Sequence, residues 1–298
     1  MPTRLYQSRP GRLCHHCSAT GGYRSLLMTH RLPAMVDSRL LNRFDLVLAE
    51  SFRQTIRDCG GEIWEANGVV SWASSLKQAS PVHANGVMRL NRLMSARESM
   101  GIPAGFFRAR GHGYTVLVRS DDRALRAEIE RTRRDLAVEH VAMVLTEPSV
   151  VPVSTDDVEI RRVKDPSGML DFRNTLTAAM GQDRDVQRFV NLGLRRIQAL
   201  LGPAKAAFLA YDDGTAAACA LGSLIDGVAI IGWIGAKPEH RRRGLATAAT
   251  RDAIQAGFDQ GAVMAATLSP LPAVPFLVSM GFEEVGRYHE CVIPPPSS

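Results

Sequence analysis

Residues Lys237 to Thr250 read KPEHRRRGLATAAT. Arg241, Arg242 and Arg243 stand directly before Gly244, and an alanine-rich run follows. The chemistry these types suit is anion binding. Guanidinium groups supply positive charge. Glycine lets the backbone reach positive φ or pass close to a ligand. The first amides of a helix have no carbonyl partner within it, and the helix dipole adds partial positive charge there. Successive loop amides form the same kind of anion nest. A phosphate or pyrophosphate at a helix start uses all of these at once. Two other uses of the same letters compete: a nucleic-acid patch and a solvated charge run. No Gly-Lys-Ser/Thr is present, which excludes a Walker loop, and the glycine triplet of a dinucleotide fingerprint is missing.

The flanking elements favour the phosphate use. The loop leaves the apolar strand VAIIGWIGA, 228–236. Pro238 removes an amide and fixes φ, so the strand cannot run through it. Ala246, Ala249, Ala253 and Ala256 recur at helical steps, a small face that packs closely on a sheet. Upstream, VEIRRV (158–163) alternates as a strand. A helix opens at Asp165 or Ser167 and reaches Met180. A second, amphipathic helix is marked by Val186, Phe189, Val190, Leu194, Ile197, Leu200 and Leu201. Three strands then join through Asp213-Gly214 and Asp226-Gly227, strong hairpin signals. After the loop come a helix to Phe258, a strand at 262–268, a helix ending at Gly281 and a last strand ending near Ile293. The order predicts an α+β fold around a mixed sheet flanked by helices.

The first half reads separately. A helix is expected over 37–59, then a hairpin around Asn67-Gly68, a strand at 86–90, a short helix ended by Gly101, a strand at 114–118, a helix from Asp121 or Asp122 to Leu136 and a strand at 138–145. SVVPVSTDD, 149–157, has the turn formers of a boundary. The expected organisation is thus a disordered or mis-started extension over 1–36, an N-terminal α+β domain over 37–150 and a C-terminal domain over 154–298.

Composition bounds the function. The chain has 298 residues, 45% hydrophobic and 22% charged, as a soluble globular protein does. No apolar run approaches the roughly 18–20 residues that would span a membrane. The net charge is +6, but residues 1–36 hold five arginines and no acid, which leaves +1 for 37–298. The basic balance therefore describes a tail and gives no support to nucleic-acid binding. Five scattered cysteines argue against a disulfide framework and fit the reducing cytoplasm. Cys14-His15-His16-Cys17 looks like half a metal site, but no second pair follows at matching spacing, so no metal is expected.

Arg241-Arg242-Arg243-Gly244-Leu245-Ala246 resembles the acetyl-CoA loop of the GNAT acetyltransferases, [Q/R]-x-x-G-x-[G/A]. Pro238 and Glu239 stand where that family has a proline and an acid. FLVSMGFEEVGRY, 276–288, looks like the family's C-terminal segment, a helix ending in Gly-Phe before the last strand. The resemblance covers about 154–293. It implies that Ile234, Gly235 and Ala236 pair with the pantetheine arm through backbone groups. It also implies that the amides of Arg241, Arg242, Arg243, Gly244, Leu245, Ala246 and Thr247 hold the pyrophosphate, the three arginines favouring the CoA phosphates. Direct acetyl transfer from acetyl-CoA to a primary amine would follow, the protein positioning the reactants, deprotonating the amine and polarising the thioester.

The sequence departs from the family at Leu277. Many members carry a proton-donating tyrosine four residues before the Gly of Gly-Phe. Either another group, Tyr288 or Tyr211 among them, or solvent protonates the thiolate, or the chain is a non-catalytic CoA-binding sensor or scaffold. Glu239, His240, His289 and Glu290 flank the expected site as candidate bases. Asp183 and Asp185 would give an acidic lip for a cationic amine, although capping a helix is the commoner use. Residues 62–145 resemble the later part of the same domain in element order, without its loop. They are read as a degenerate second copy that completes the acceptor cleft or mimics a dimer interface, against an unrelated α+β domain of similar order.

Overall fold

The computed structural model describes residues 38–77, 82–136, 138–148, 158–181, 183–196 and 201–296. The first half holds α1 (Ser38–Cys59), β1 (Glu62–Ala66), β2 (Val69–Ala73), β3 (Asn85–Arg89), α2 (Ala96–Arg108), β4 (Tyr114–Arg119), α3 (Arg123–Arg131) and β5 (Glu139–Leu145). The second holds β6 (Glu159–Arg162), α4 (Pro166–Ala179), α5 (Arg184–Gly193), β7 (Lys205–Asp212), β8 (Thr215–Ile225), β9 (Val228–Ala236), α6 (Leu245–Asp259), β10 (Met264–Pro270), α7 (Val274–Ser279) and β11 (Glu283–Ile293). The expected boundary at 149–157, the extension at 1–36 with its Cys-His-His-Cys, and Ile197 and Leu200 lie outside the described residues.

All of the strands join one sheet of order β1-β2-β3-β4-β11-β5-β10-β9-β8-β7-β6. Read inward from both sides, it repeats itself. An antiparallel meander (β1–β3, β7–β9) is followed by a parallel neighbour, β4 beside β3 and β10 beside β9. The last strands are exchanged: β5 of the first half pairs with β10, β11 of the second with β4, and the two meet antiparallel at the centre. The sheet is thus continuous across the two halves.

Local signals explain most elements. Asn67, Asp213 and Asp226 take φ of 52°, 48° and 47°, each followed by a positive-φ glycine, the backbone that a two-residue hairpin requires. In α1 the apolar residues buried against the sheet include Phe44, Val47, Phe52 and Ile56. Close packing of α6 depends on absent side chains: a Cβ on Gly222 would lie 2.7 Å from the Ala253 carbonyl oxygen, and one on Gly257 2.4 Å from the Ala229 Cβ. The buried stripe of α6 runs through Leu245, Ala249, Ala253 and Gly257, while Ala246 and Ala256 are only partly covered.

Two helix ends differ from the sequence expectation. α2 does not stop at Gly101. It runs to Arg108 with Pro103 inside it, because Met100, Pro103, Phe106 and Phe107 share one buried face. That burial outweighs the propensity cost of Gly and Pro. α3 ends at Arg131, short of Leu136.

Under α1 lies a buried ionic cluster. Arg119 Nη1 donates to Asp45 Oδ2 at 2.6 Å and to Asn42 Oδ1 at 2.8 Å, and the Tyr288 hydroxyl donates to Asp45 Oδ1 at 2.5 Å. Burial raises the Asp45 carboxyl above its ordinary range despite the pull of Arg119. Arg119 also forks onto Asp121 at 3.0 and 2.6 Å, so Asp45→Ala leaves the guanidinium one carboxylate and strands the buried Tyr288 hydroxyl, a loss of about 1–3 kcal/mol. Urea unfolding of the variant should show that loss; a change below about 1 kcal/mol would mean that water reaches Arg119 freely.

Candidate active site

β9 and β10 pair only from Val228–Ile230 to Met264–Ala266. Beyond that point β9 is bulged: its register with β8 shifts between Cys219 and Leu221, and Trp233 sits at φ 51°. A bulky residue at positive φ is strained, and such positions persist where the surroundings fix them. The bulge turns β9 away from β10, and a cavity of about 460 Å³ opens there. Gly232, Trp233 and Ile234 form one wall and Thr267, Leu268 and Ser269 the other. Phe52 of α1 and Phe189 of α5 also line it, as do His140 of β5, Glu290 of β11 and Leu277 of α7.

β9 leads from this wall directly into the arginine loop. Arg242 and Gly244 are both left-handed, with φ 62° and 76°, and Gly244 is the residue before α6. The first bond closing the helix runs from the Ala248 amide to the Gly244 carbonyl at 2.9 Å. The amides of Leu245, Ala246 and Thr247 precede it and have no helical acceptor. Alternating left-handed residues followed by a helix start form an anion nest. The side chains divide. Arg242 is exposed. Arg241 spans the Ala236 and Ala179 carbonyls at 3.2 and 2.9 Å. Arg243 instead forks onto Asp212, which also holds His240 Nδ1 at 2.6 Å. The three arginines are therefore not equivalent, and Arg243 is already neutralised.

Gly235, on the strand before the loop, packs against α4: a Cβ there would lie 2.6 Å from the Ala179 Cβ. Its backbone can thus lie close under that helix.

Inside the cavity, His140 Nε2 meets Glu290 Oε1 at 2.7 Å, with the side chains 11% and 8% exposed. His140 Nδ1 is buried and has no hydrogen-bond partner among the described residues. An ionised Glu290 accepts the Nε2–H, which leaves the lone pair on Nδ1. The arrangement is a carboxylate beside an imidazole at the cavity wall, with the other ring nitrogen buried. His83 stands in the same wall, its ring 5.3 Å from Phe52. Burial, helped by His140, lowers its pKa to about 4. A neutral His83 therefore contributes stability that is present above its unfolded pKa near 6.5 and lost as pH falls toward 4. Its ring is open to the cavity, so water screens part of the effect. Acid unfolding should be shallower between pH 6.5 and 4 in His83→Gln than in the wild type; equal slopes would refute the assignment.

The other sequence candidates lie elsewhere. Tyr288 is buried beneath α1, its hydroxyl committed to Asp45, and burial with the Asp45 charge raises its pKa well above 10. Glu239 is exposed on the turn Pro238–His240. His289 projects from the opposite face to Glu290 and meets Ser120 Oγ at 3.1 Å. The Tyr211 hydroxyl donates to Asp171 at 3.1 Å. Asp183 caps α5, accepting from the Asp185 and Val186 amides at 3.1 and 3.0 Å. None of these six, His240 included, lines the cavity, whereas Trp233, Ile234, Leu277 and Glu290 do.

The matching position in the first half, between β3 and α2, is built the opposite way. Arg89 Nη1 donates to both carboxylate oxygens of Asp122 at 3.0 and 2.9 Å, both side chains being buried, and Nη2 donates to the Arg92 and Met94 carbonyls. The loop turns carbonyls toward a cation where the second half turns amides outward. Ser95 and Glu98 close the start of α2 with a capping box.

The model of the Acetyltransferase (GNAT) family matches residues 171–282. This segment is a GNAT acetyltransferase domain. Members of that family are acyltransferases whose donor is acetyl-CoA. Solved structures extend the likeness of fold over both halves. A GCN5-related N-acetyltransferase from Kribbella flavida is 15% identical, with 89% of this chain and 98% of that one covered and a TM-score of 0.66. A second, from Sphaerobacter thermophilus, is 15% identical over 78% of each chain, with a TM-score of 0.57. A tandem GNAT protein from the clavulanic acid biosynthesis pathway is 14% identical over 78% and 82%, with a TM-score of 0.56. No curated protein matches the chain. Within the GNAT segment lie β7 to β9, the arginine loop, α6, β10 and Leu277, whereas both members of the His140–Glu290 pair fall outside it.

Proposed function

We propose that the chain transfers acetyl from acetyl-CoA directly to a primary amine, with binding and chemistry in the second half. The observation that carries this reading is the succession along the chain of a cavity reaching His140 and Glu290, the bulged strand at 232–236 and the amide nest at 242–247. The amides of Arg241 to Thr247 hold the pyrophosphate, with Arg241 and Arg242 beside it. Ile234, Gly235 and Ala236 offer backbone groups to the pantetheine arm as a neighbouring strand would.

The thioester supplies an activated acetyl group. The cavity excludes water from the acyl carbon and holds the amine against it. The His140–Glu290 pair at the cavity wall takes the proton that the attacking nitrogen must lose, the carboxylate steadying the imidazolium. With Leu277 apolar, the leaving thiolate takes its proton from solvent or from that imidazolium, so the nitrogen's proton balances the thiol's. The first half contributes Phe52, His83 and His140 to the acceptor side, which gives a degenerate copy a use. Free Cys59, Cys219 and Cys291 support a cytoplasmic location. No helix of the described residues is long and apolar enough to cross a membrane.

Leu277 also favours a second reading, a CoA-binding sensor. The two separate on thiol release with an amine panel. Transfer requires free CoA and acetylated amine in equal amounts; a sensor binds acetyl-CoA and releases none.

A further inference from the structure

We infer that the acceptor is a monoamine carried on an apolar, ring-sized body, seated between α1, α5 and β9. The inference rests on the proposed acetyl transfer and names its acceptor. Charge accounting comes first. Among the described residues the cavity is lined by two carboxylates, Asp58 and Glu290. Asp58 is already paired with Lys205 at the rim, and Glu290 with His140. A polyamine or aminoglycoside would bring several cations into a wall that has no free acid for the second one, and burying an unpaired charge is costly. One amine, by contrast, meets one imidazole–carboxylate pair.

The body of the acceptor is set by what faces the remaining space. Phe52, Phe189, Trp233 and Phe276 line it, with Val186 and Leu48. The Phe189 and Trp233 rings are 5.8 Å apart and stacked, and His83 lies 6.3 Å from Phe189. A run of ring faces recognises an apolar or aromatic group by area and stacking. The volume, about 460 Å³, lies within the roughly 300–1,000 Å³ of pockets that enclose small ligands. Single hydroxyls such as Ser51, Thr55 and Thr267 can orient such a molecule without demanding a second charge.

The experiment uses the full chain at saturating acetyl-CoA and reads thiol release. The probes are 2-phenylethylamine, hexylamine, spermidine and a lysine-containing peptide, with octanoyl-CoA as a second donor. The expected result is a kcat/KM for 2-phenylethylamine at least ten times that for spermidine or the peptide, and no gain with octanoyl-CoA. Val186→Asp adds a carboxylate to the wall at a half-buried position and should shift the preference toward spermidine by tenfold or more. Phe189→Ala should raise KM for 2-phenylethylamine about 10–200-fold, the range for lost apolar contacts in a pocket, with the acetyl-CoA Kd unchanged. Preference for spermidine or the peptide in the wild type overturns the inference. So does faster use of octanoyl-CoA, which would give the cavity to the acyl chain. So does tight acetyl-CoA binding with no turnover of any probe. Failure to bind acetyl-CoA at all would instead fell the transferase reading beneath it.

Discussion

Exchanging His140 for glutamine is expected to lower kcat by about 10²–10⁴-fold, the usual worth of a positioned general base, with acetyl-CoA affinity unchanged. Glutamine keeps an N–H that can reach Glu290 but carries no basic nitrogen. Simple loss of packing is separated by a further readout. In His140→Ala, added imidazole should restore part of the rate, since the vacated space admits the missing base. The charged and titratable groups that share the cavity with His140 are Glu290, His83, Asp58 and Lys205. Glu290→Gln should lower kcat as well, because the imidazolium loses its counter-charge. A rate within twofold of wild type in His140→Gln would remove the pair from the chemistry.

Gly244→Asp should weaken acetyl-CoA binding by roughly 30- to 700-fold, equivalent to about 2–4 kcal/mol. Two causes add. A carboxylate at the nest opposes the pyrophosphate, and charge-assisted bonds from amides, each worth about 1.5–3 kcal/mol, lengthen or break. Aspartate tolerates the left-handed backbone better than most residues, so the fold should survive at φ 76°. Gly244 is exposed, which limits the cost further. The corresponding change in the first half, Ser95→Ala, touches only a helix cap and should leave acetyl-CoA binding unaltered.

The loop was legible in the sequence because every part of it is local. Pro238, three arginines, Gly244 and the helix behind them lie within a few residues, and the hairpins at Asp213-Gly214 and Asp226-Gly227 are set by two residues each. The end of α2 was not legible, since its face is decided by burial of Phe106 and Phe107 rather than by Gly101. The partner of Glu290 was not legible either. His140 and its neighbour Glu139 are the two polar side chains of the run VEHVAMVL, a signal of some kind, but Glu290 stands 150 residues after His140. They meet only because β5 and β11 are exchanged between the halves, and strand exchange leaves no mark on local pattern. Alternation along β11 does sort its neighbours: Glu290 faces the cavity side and His289 the other, so the two adjacent candidates could not both serve. The partner of Arg243 was hidden for a similar reason. Its charge is plain in the sequence, but Asp212, which takes it, comes from the end of β7.

The most direct test of the central claim is calorimetric titration of acetyl-CoA into the full chain, beside Gly244→Asp, with circular dichroism confirming that both are folded. The account predicts saturable one-to-one binding to the wild type and an affinity at least about 30-fold lower in the variant. A folded wild type that gives no binding, or a variant that binds equally well, would contradict it.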